Sequence, residues 1–404
     1  MSLHDTPRGE RVHIALFGRR NAGKSSLINA LTGQQISIVS EIAGTTTDPV
    51  YKAMEILPLG PCVMIDTPGL DDEGLLGQLR VERARAVLEK TDLAIIAADC
   101  LNEIGDFEKD ILAQIEARKI PAVLVLNKSD LAADMSELSL RAEALHKELK
   151  IPVTVASGIT GEGIGALKHA LIQALPDHQA DDFIVRDLLS PSDVVVLVVP
   201  VDSAAPKGRL ILPQQQTIRD ILEAKAISVV AQDAELPGVL QSLKDKPRLV
   251  ITDSQAFESV SRNTPRDVPL TSFSILFARY KGDLPELVRG AKAIDSLEDG
   301  DRVLIAEGCT HHRQCDDIGT VKLPRWILKH TGKKIEFSTA SGGTFPSDLS
   351  KYKMIVHCGA CMLNRREVHF RIAEAVKAGV PIANYGVLIA YMQGILDRVL
   401  EPFG

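Results

Sequence analysis

The run GRRNAGKSS, from Gly18 to Ser26, constrains this chain more than any other stretch. It follows a short apolar segment, residues 12–17, and precedes the helical pattern LINAL, so a glycine loop joins a buried strand to a helix start. Gly18, Ala22 and Gly23 leave the backbone able to turn its N–H groups inward around phosphate oxygens, and the following helix adds its positive end. Lys24 is placed to reach β- and γ-phosphates and Ser25 to ligate Mg2+, with Ser26 completing the cradle. A chain built on this element is expected to be α/β.

Three further segments follow in the order that a GTPase requires. CVMIDTPGL is an apolar strand ending at Asp66, suited to hold Mg2+ through water, and Gly69 after it can offer its N–H to the γ-phosphate. The stretch beyond would then be a switch. AVLVLNKSD is a second buried strand, ending in Asn127, Lys128 and Asp130. A carboxylate there accepts two N–H bonds from guanine, for which adenine has no matching donor pair. VTVASGITGEG closes the series, with Ser157 and Gly158 expected in a loop near the base.

These motifs resemble the TrmE/Era-like GTPases, the subgroup that includes tRNA-modification and ribosome-assembly GTPases. The resemblance implies that EIAGTTTDP is the first switch, with Thr45 or Thr46 closing over Mg2+ and the γ-phosphate. Leu70 follows DTPG where Ras-like enzymes carry the Gln that orients water, so intrinsic hydrolysis is expected to be slow. Asn21 matches the Asn with which relatives hold K+; the alternative is that its amide caps the loop.

Composition excludes several classes. Aromatic residues make up 4% with one Trp, a poor supply of stacking platforms, and 46 Lys+Arg against 53 Asp+Glu give a net charge of -7. A nucleic-acid partner is therefore not expected. No apolar run approaches the roughly 20 residues needed to span a bilayer, so no membrane association is expected. The start MSLHDTPRGER lacks the charged-then-apolar pattern of a secretory signal, and a cytoplasmic location is expected.

The length of 404 residues suits two or three domains. PDHQADD marks one boundary and RNTPRDVPL a second, giving a GTP-binding domain over 1–177, an α/β domain over 178–268 and a third domain over 269–404. Both later domains are expected to be α/β with parallel sheets. In the middle one, DVVVLVVPVD, AISVVAQD and RLVITD read as strands, and TIRDILEAK as a helix with Ile218, Ile221 and Leu222 on one face. It offers no catalytic constellation; Asp202 with SAAPKGR reads as a surface loop. A sheet without a site suggests association, here homodimerisation through an edge strand.

The six cysteines are unevenly spread. Cys62 lies in an apolar strand and Cys100 follows AIIAAD; both read as small core residues. Cys309 and Cys358 stand immediately after the apolar runs RVLIAE and YKMIV(H), where a parallel sheet binds ligands. The pattern is Cys309-Thr310-His311, then far downstream His357-Cys358-Gly359-Ala360-Cys361. Gly359 and Ala360 leave room for a turn that brings two thiolates to one centre. A structural zinc, a 4Fe–4S cluster or a Cys358–Cys361 disulfide pair are all compatible with this spacing, though the last leaves the C-x-H segment without a role.

The whole arrangement resembles the FeFe-hydrogenase H-cluster maturation GTPases, the HydF family. That resemblance implies a 4Fe–4S cluster on Cys309, Cys358 and Cys361, and a scaffold that receives a diiron precursor and delivers it to apo FeFe-hydrogenase. It further implies the two radical-SAM maturases as partners, and GTP as a switch governing partner exchange. A fourth ligand would come from Asp316, His311 or His357; Asp316 is preferred because a carboxylate binds iron less tenaciously than thiolate. His311 and His357 would otherwise orient the site, and Cys315 would stay a free thiol. The rival reading is an RNA- or ribosome-associated GTPase with a zinc-stapled C-terminal domain. A metal-free redox GTPase using Cys358 and Cys361 is a third.

Overall fold

The computed structural model describes residues 6–33, 49–57, 59–67, 86–175, 183–200, 210–308, 317–342 and 345–404. The chain divides into two compact units, 1–180 and 181–404.

The first unit is one six-stranded sheet. Its strands are β1 (Val12–Phe17), β2 (Val50–Ile56), β3 (Gly60–Asp66), β4 (Leu93–Asp99), β5 (Ala122–Asn127) and β6 (Val153–Val155), in the order β2-β3-β1-β4-β5-β6. All pairings are parallel except β2 with β3. Alternate residues of β1 serve opposite faces. Ile14 and Leu16 pack with Leu27, Ile28 and Leu31 of the helix Lys24–Thr32, while Ala15 and Phe17 pack with Ile96, Ile111 and Ile115. Burial on both faces explains why β1, β4 and β5 read as unbroken apolar runs.

The second unit holds two four-stranded parallel sheets. The first comprises β7 (Val194–Val198), β8 (Ile227–Ala231), β9 (Leu249–Thr252) and β10 (Leu270–Ser272), ordered β10-β9-β7-β8. The second comprises β11 (Arg302–Glu307), β12 (Glu336–Ser341), β13 (Met354–His357) and β14 (Ile382–Asn384), ordered β12-β11-β13-β14. Read from opposite ends the orders are the same, and so is the register. Val198 pairs with Thr252 and Thr252 with Ser272, as Ala306 pairs with His357 and His357 with Asn384.

The sequence repeats along with the topology. Residues 267–284 align without a gap to 379–396, matching Val268 with Val380, Pro269 with Pro381, Leu276 with Leu388, Ala278 with Ala390, Gly282 with Gly394 and Leu284 with Leu396. Leu212-Pro213 and Leu323-Pro324 each open the helix that follows the repeat's first strand. One apolar core runs through both repeats. They meet at equivalent positions of equivalent helices, Ser274 in Phe273–Lys281 against Gly386 in Tyr385–Met392. The Gly386 N–H donates to Ser274 Oγ at 3.2 Å, and a Cβ on Gly386 would fall 2.5 Å from Ser274 Cβ. Only glycine allows so close a crossing.

Several expectations shift. The division at 268/269 falls between β9 and β10, paired strands of one sheet, so that sheet extends to Ser272. The helix Leu212–Glu223 does not bury Leu222, which is 56% exposed; its inner face carries Gln214, Thr217, Asp220 and Ile221. Polar groups are tolerated there because they are bonded. Asp220 accepts the Val185 and Arg186 N–H groups, and Gln214 donates to Asp253 and accepts the Ile211 N–H. In Arg365–Lys377 the buried set is Val368, Arg371, Ile372 and Ala375, with Val376 exposed. The sequence reads Val368, Ile372 and Val376 as one buried face of this helix, but strict four-residue spacing drifts off a 3.6-residue face, so Val376 turns outward.

Candidate functional sites

The phosphate loop is shaped for close backbone approach. Gly23 has φ 80°, and a Cβ there would lie 2.2 Å from Asn127 Nδ2; one on Gly18 would lie 2.4 Å from the Ala97 carbonyl oxygen. Lys24, nearly buried, donates to the carbonyls of Gly18 and Arg19 at 2.8 and 2.9 Å, so its ammonium is held at the mouth of the loop. Ser25 Oγ donates to Asp66 Oδ2 at 3.2 Å, while Asp66 Oδ1 is buried without a partner among the described residues. Burial raises the Asp66 carboxyl, opposed by Lys24 and Ser25. A hydroxyl, a carboxylate and an orphaned carboxylate oxygen side by side fit a divalent cation.

The base-side loops are fastened to that cradle by Asn127, which is 1% exposed. Its Nδ2 donates to the Ala22 carbonyl at 2.9 Å and its Oδ1 accepts the Gly158 N–H at 3.0 Å. Lys128, with left-handed φ 66°, reaches Asp99 at 2.7 Å. Ser157, fully buried, donates to Asp130 and accepts the Thr160 N–H, so the carboxylate expected to read guanine is oriented by the loop expected near the base. A Cβ on Gly158 would press within 2.8 Å of the Leu27 nitrogen. Ser26 Oγ bonds back to the Gly23 carbonyl. Asn21 is exposed, has left-handed φ 63°, and its side chain makes no hydrogen bond with the described residues. Thr45, Thr46, Gly69 and Leu70 lie outside the described residues.

In the second unit Cys358 follows β13 directly, its N–H bonded to the Ala306 carbonyl at 2.9 Å. Its sulfur accepts two backbone N–H bonds, from Gly308 at 3.1 Å and Ala360 at 3.4 Å. Gly308 is the chain neighbour of Cys309, and a Cβ on it would lie 2.7 Å from Leu363 Cγ. Of the two residues expected to make the turn, Ala360, buried, takes the left-handed conformation with φ 55°. Burial pushes the Cys358 thiol up to about 11; it also raises Cys361, against the pull of Lys281. Cys309, His311, Cys315 and Asp316 lie outside the described residues.

His357 does not face the thiols as a ligand. Its Nε2 takes a hydrogen bond from Arg371 at 3.0 Å, and because guanidinium only donates, Nδ1 carries the proton toward the Cys358 carbonyl at 2.9 Å. Burial and then Arg371 lower its pKa to about 4. Both nitrogens are thus engaged, which removes His357 from the candidates for direct ligation in this arrangement and leaves it orienting the loop. Sequence reasoning missed its partner Arg371, 2% exposed and also bonded to Glu367 and the Gly342 carbonyl. It also missed Glu307 at the end of β11, which accepts from Tyr385 Oη at 3.3 Å, and buried Lys281. Glu307 is two residues from Cys309 but reads as a strand end, while Arg371 and Lys281 sit on helices outside the motif; a charged residue in the largely apolar FSILFARYK was the one signal in the sequence.

The other cysteines are core. Cys62 is wholly buried, its thiol pushed up to about 12 by burial, and Cys100 donates to the Lys128 carbonyl. Among the described residues no helix is long and apolar enough to cross a membrane.

Three family models match the chain: a 50S ribosome-binding GTPase over 13–128, the hydrogen maturase F dimerization domain over 184–282 and the hydrogen maturase F tetramerization domain over 285–402. The GTPase Der of Mycoplasmopsis pulmonis is 34% identical over 40% of this chain and 39% of its own length. The tRNA modification GTPase MnmE of Nitrosomonas europaea is 33% identical over 41% of this chain and 35% of its own. The chain thus spans well under half the length of these relatives. Among solved structures, a variant of Aquifex aeolicus Era bound to GDP.AlF4- aligns at 20% identity and TM-score 0.38, covering 57% of this chain and 97% of that one. The G domain of the T. maritima FeoB iron transporter aligns at 29% identity and TM-score 0.32, covering 41% and 100%.

Proposed function

Because the chain belongs to the hydrogen maturase F family, two of whose domain models lie end to end over 184–402, we propose that this hydrogenase-maturation GTPase carries a 4Fe–4S cluster on Cys309, Cys358 and Cys361. We further propose that it delivers a diiron precursor to apo FeFe-hydrogenase. The chain is a GTPase, with GTPase relatives along its first domain. One observation carries the cluster reading. Two N–H groups aim at the half-buried Cys358 Sγ, whereas among the described residues none aims at Cys62, which is wholly buried. Such donors stabilise a thiolate rather than a thiol, and a thiolate is what iron requires.

When bound, such a cluster supplies one iron that three thiolates leave open to an exchangeable ligand. Asp316 or His311 would fill that position. The protein's own contribution is a loop held at the carboxyl edge of a parallel sheet, with His357 and Arg371 fixing its backbone. Nucleotide state would govern exchange between the two radical-SAM maturases and the hydrogenase. Anaerobic reconstitution followed by metal analysis and EPR of the reduced protein tests the reading. Stoichiometric zinc without an iron–sulfur signal would overturn it in favour of a zinc-stapled, ribosome-associated GTPase.

Two expectations accompany this reading. The exposed Asn21 amide in the phosphate loop supports K+ as a cofactor of hydrolysis, since among the described residues no capping bond occupies it. Hydrolysis is expected to run at least roughly tenfold faster in KCl than in NaCl, still well below the roughly 10^3–10^5 that an arginine finger supplies. Asn21→Ala should erase the difference; equal rates in the two salts for the wild type would dismiss K+.

The second concerns self-association, which both C-terminal domain models name. β8 is an edge strand, with Ile227 50% and Val230 46% exposed. Pairing of β8 with a second copy would satisfy its open backbone edge and cover both side chains. Val230→Glu is expected to lower the mass found by sedimentation at micromolar concentration; an unchanged mass would move the interface elsewhere.

A further inference from the structure

The duplication in the second unit provides an internal comparison for the cysteine loop. By strand register, Thr252 stands where His357 stands, so Asp253 corresponds to Cys358 and Ala256 to Cys361. The first repeat therefore has a loop at the corresponding sheet edge without either thiol. The helices that end beside these loops are exchanged between repeats. Phe273–Lys281 of the first repeat reaches the cysteine loop of the second, and the helix Tyr385–Met392 of the second packs against the thiol-free loop of the first.

The residues closing the two helices differ in charge. Gln393 corresponds to Lys281 in the gap-free alignment and is exposed. Lys281 is 2% exposed and donates to the Leu363 carbonyl at 3.0 Å and the Cys361 carbonyl at 3.4 Å. Burying an ammonium costs several kcal/mol of hydration unless the site returns it. A cation stands at the repeat that has thiols, and a neutral residue at the one that lacks them.

We propose that Lys281 is a positioning residue for the iron–sulfur site: from the neighbouring repeat it pins the Cys361–Leu363 backbone and lends its positive charge to the thiolate-bound centre. This rests on the cluster reading above. A centre ligated by thiolates is anionic, and its reduction adds a further negative charge, which a nearby buried cation favours. The dimerization domain thereby enters the electrostatics of a site whose cysteines all lie in the tetramerization domain.

The test compares full-length wild type with Lys281→Met, Lys281→Gln and Lys281→Arg, each reconstituted anaerobically and followed by iron content and a redox titration monitored by EPR. Lys281→Met and Lys281→Gln are expected to shift the midpoint potential to more negative values, with Lys281→Arg returning it toward wild type. Lys281→Gln keeps donors for the carbonyls, so it separates charge from pinning if Lys281→Met cannot be loaded. Loss of iron in Met and Gln but not Arg also supports the role of charge. An unchanged potential in loaded Lys281→Gln, or loss of iron in all three variants, overturns it. A wild type that takes up no iron–sulfur cluster would instead defeat the underlying reading, and that control is read first.

Discussion

Cys358→Ser and Cys361→Ser are each expected to fold as the parent does and to lose iron by about tenfold or more, since even outer-shell changes around metal sites cost 10–100-fold. The loop does not depend on either sulfur for its path. The Cys358 N–H is held by Ala306, the Leu363 N–H by the Ala360 carbonyl, and the carbonyls of Cys361 and Leu363 by Lys281. A serine oxygen can still accept from Gly308 and Ala360, but it is a hard ligand where a soft one is needed. Cys309→Ser should match them. Cys62→Ser and Cys315→Ser should keep the EPR signal, although Cys62→Ser will lower the melting temperature because it buries a hydroxyl in an apolar strand. Iron content and EPR amplitude in the same samples decide it; full iron retention in Cys358→Ser would remove that thiol from the site.

The second large effect is expected at Asn127. Asn127→Ala leaves the Ala22 carbonyl and the Gly158 N–H without their buried partner. At about 1–3 kcal/mol for each orphaned group, the cost is about 2–6 kcal/mol. Part of it will appear as lower stability and part as weaker GTP binding, because phosphate loop and base loop are no longer fastened together. A loss of roughly a hundredfold in affinity corresponds to some 2.7 kcal/mol of that total. Fluorescence titration with a GTP analogue, beside a thermal melt, measures both. Affinity within about threefold of wild type would mean that the two loops hold their places independently.

Much of the nucleotide site was legible because its function is carried by backbone geometry that only certain residues permit. Gly18 and Gly23 are required by close approaches to Ala97 and Asn127, so their chemistry is written locally. The role of Asn127 was less legible: it follows Val125 and Leu126 and looks like a base-contact motif, but its amide spans to Ala22, distant in sequence. In the second unit the strands after which the cysteines fall could be read from apolar runs. Arg371, Glu307, Tyr385 and Lys281 could not, since each is an ordinary helix or strand-end residue until packing brings it to the loop. The polar inner face of Leu212–Glu223 misled for the same reason: Gln214 and Asp220 are buried by partners that lie elsewhere.

The repeat within 181–404 divides what sequence and tertiary structure each decide. The segments V-P-x-x-x-x-x-x-L-x-A-x-x-x-G-x-L are present in the sequence at both places, yet short apolar strands and amphipathic helices are degenerate enough to match by accident. Hydrogen-bond register removes the degeneracy, because it aligns each strand to a single residue. The sequence by itself determined the phosphate loop, the guanine-side motifs and the soft-ligand pattern, all of which depend on residue type and short spacing. Tertiary structure alone decided that His357 is spent on Arg371, that Ala360 and not Gly359 takes the left-handed position of the turn, and that a lysine from one repeat bonds the cysteine-loop backbone of the other. Those facts arise from burial, which makes a partner obligatory for every polar group and leaves its choice to whatever the fold brings near.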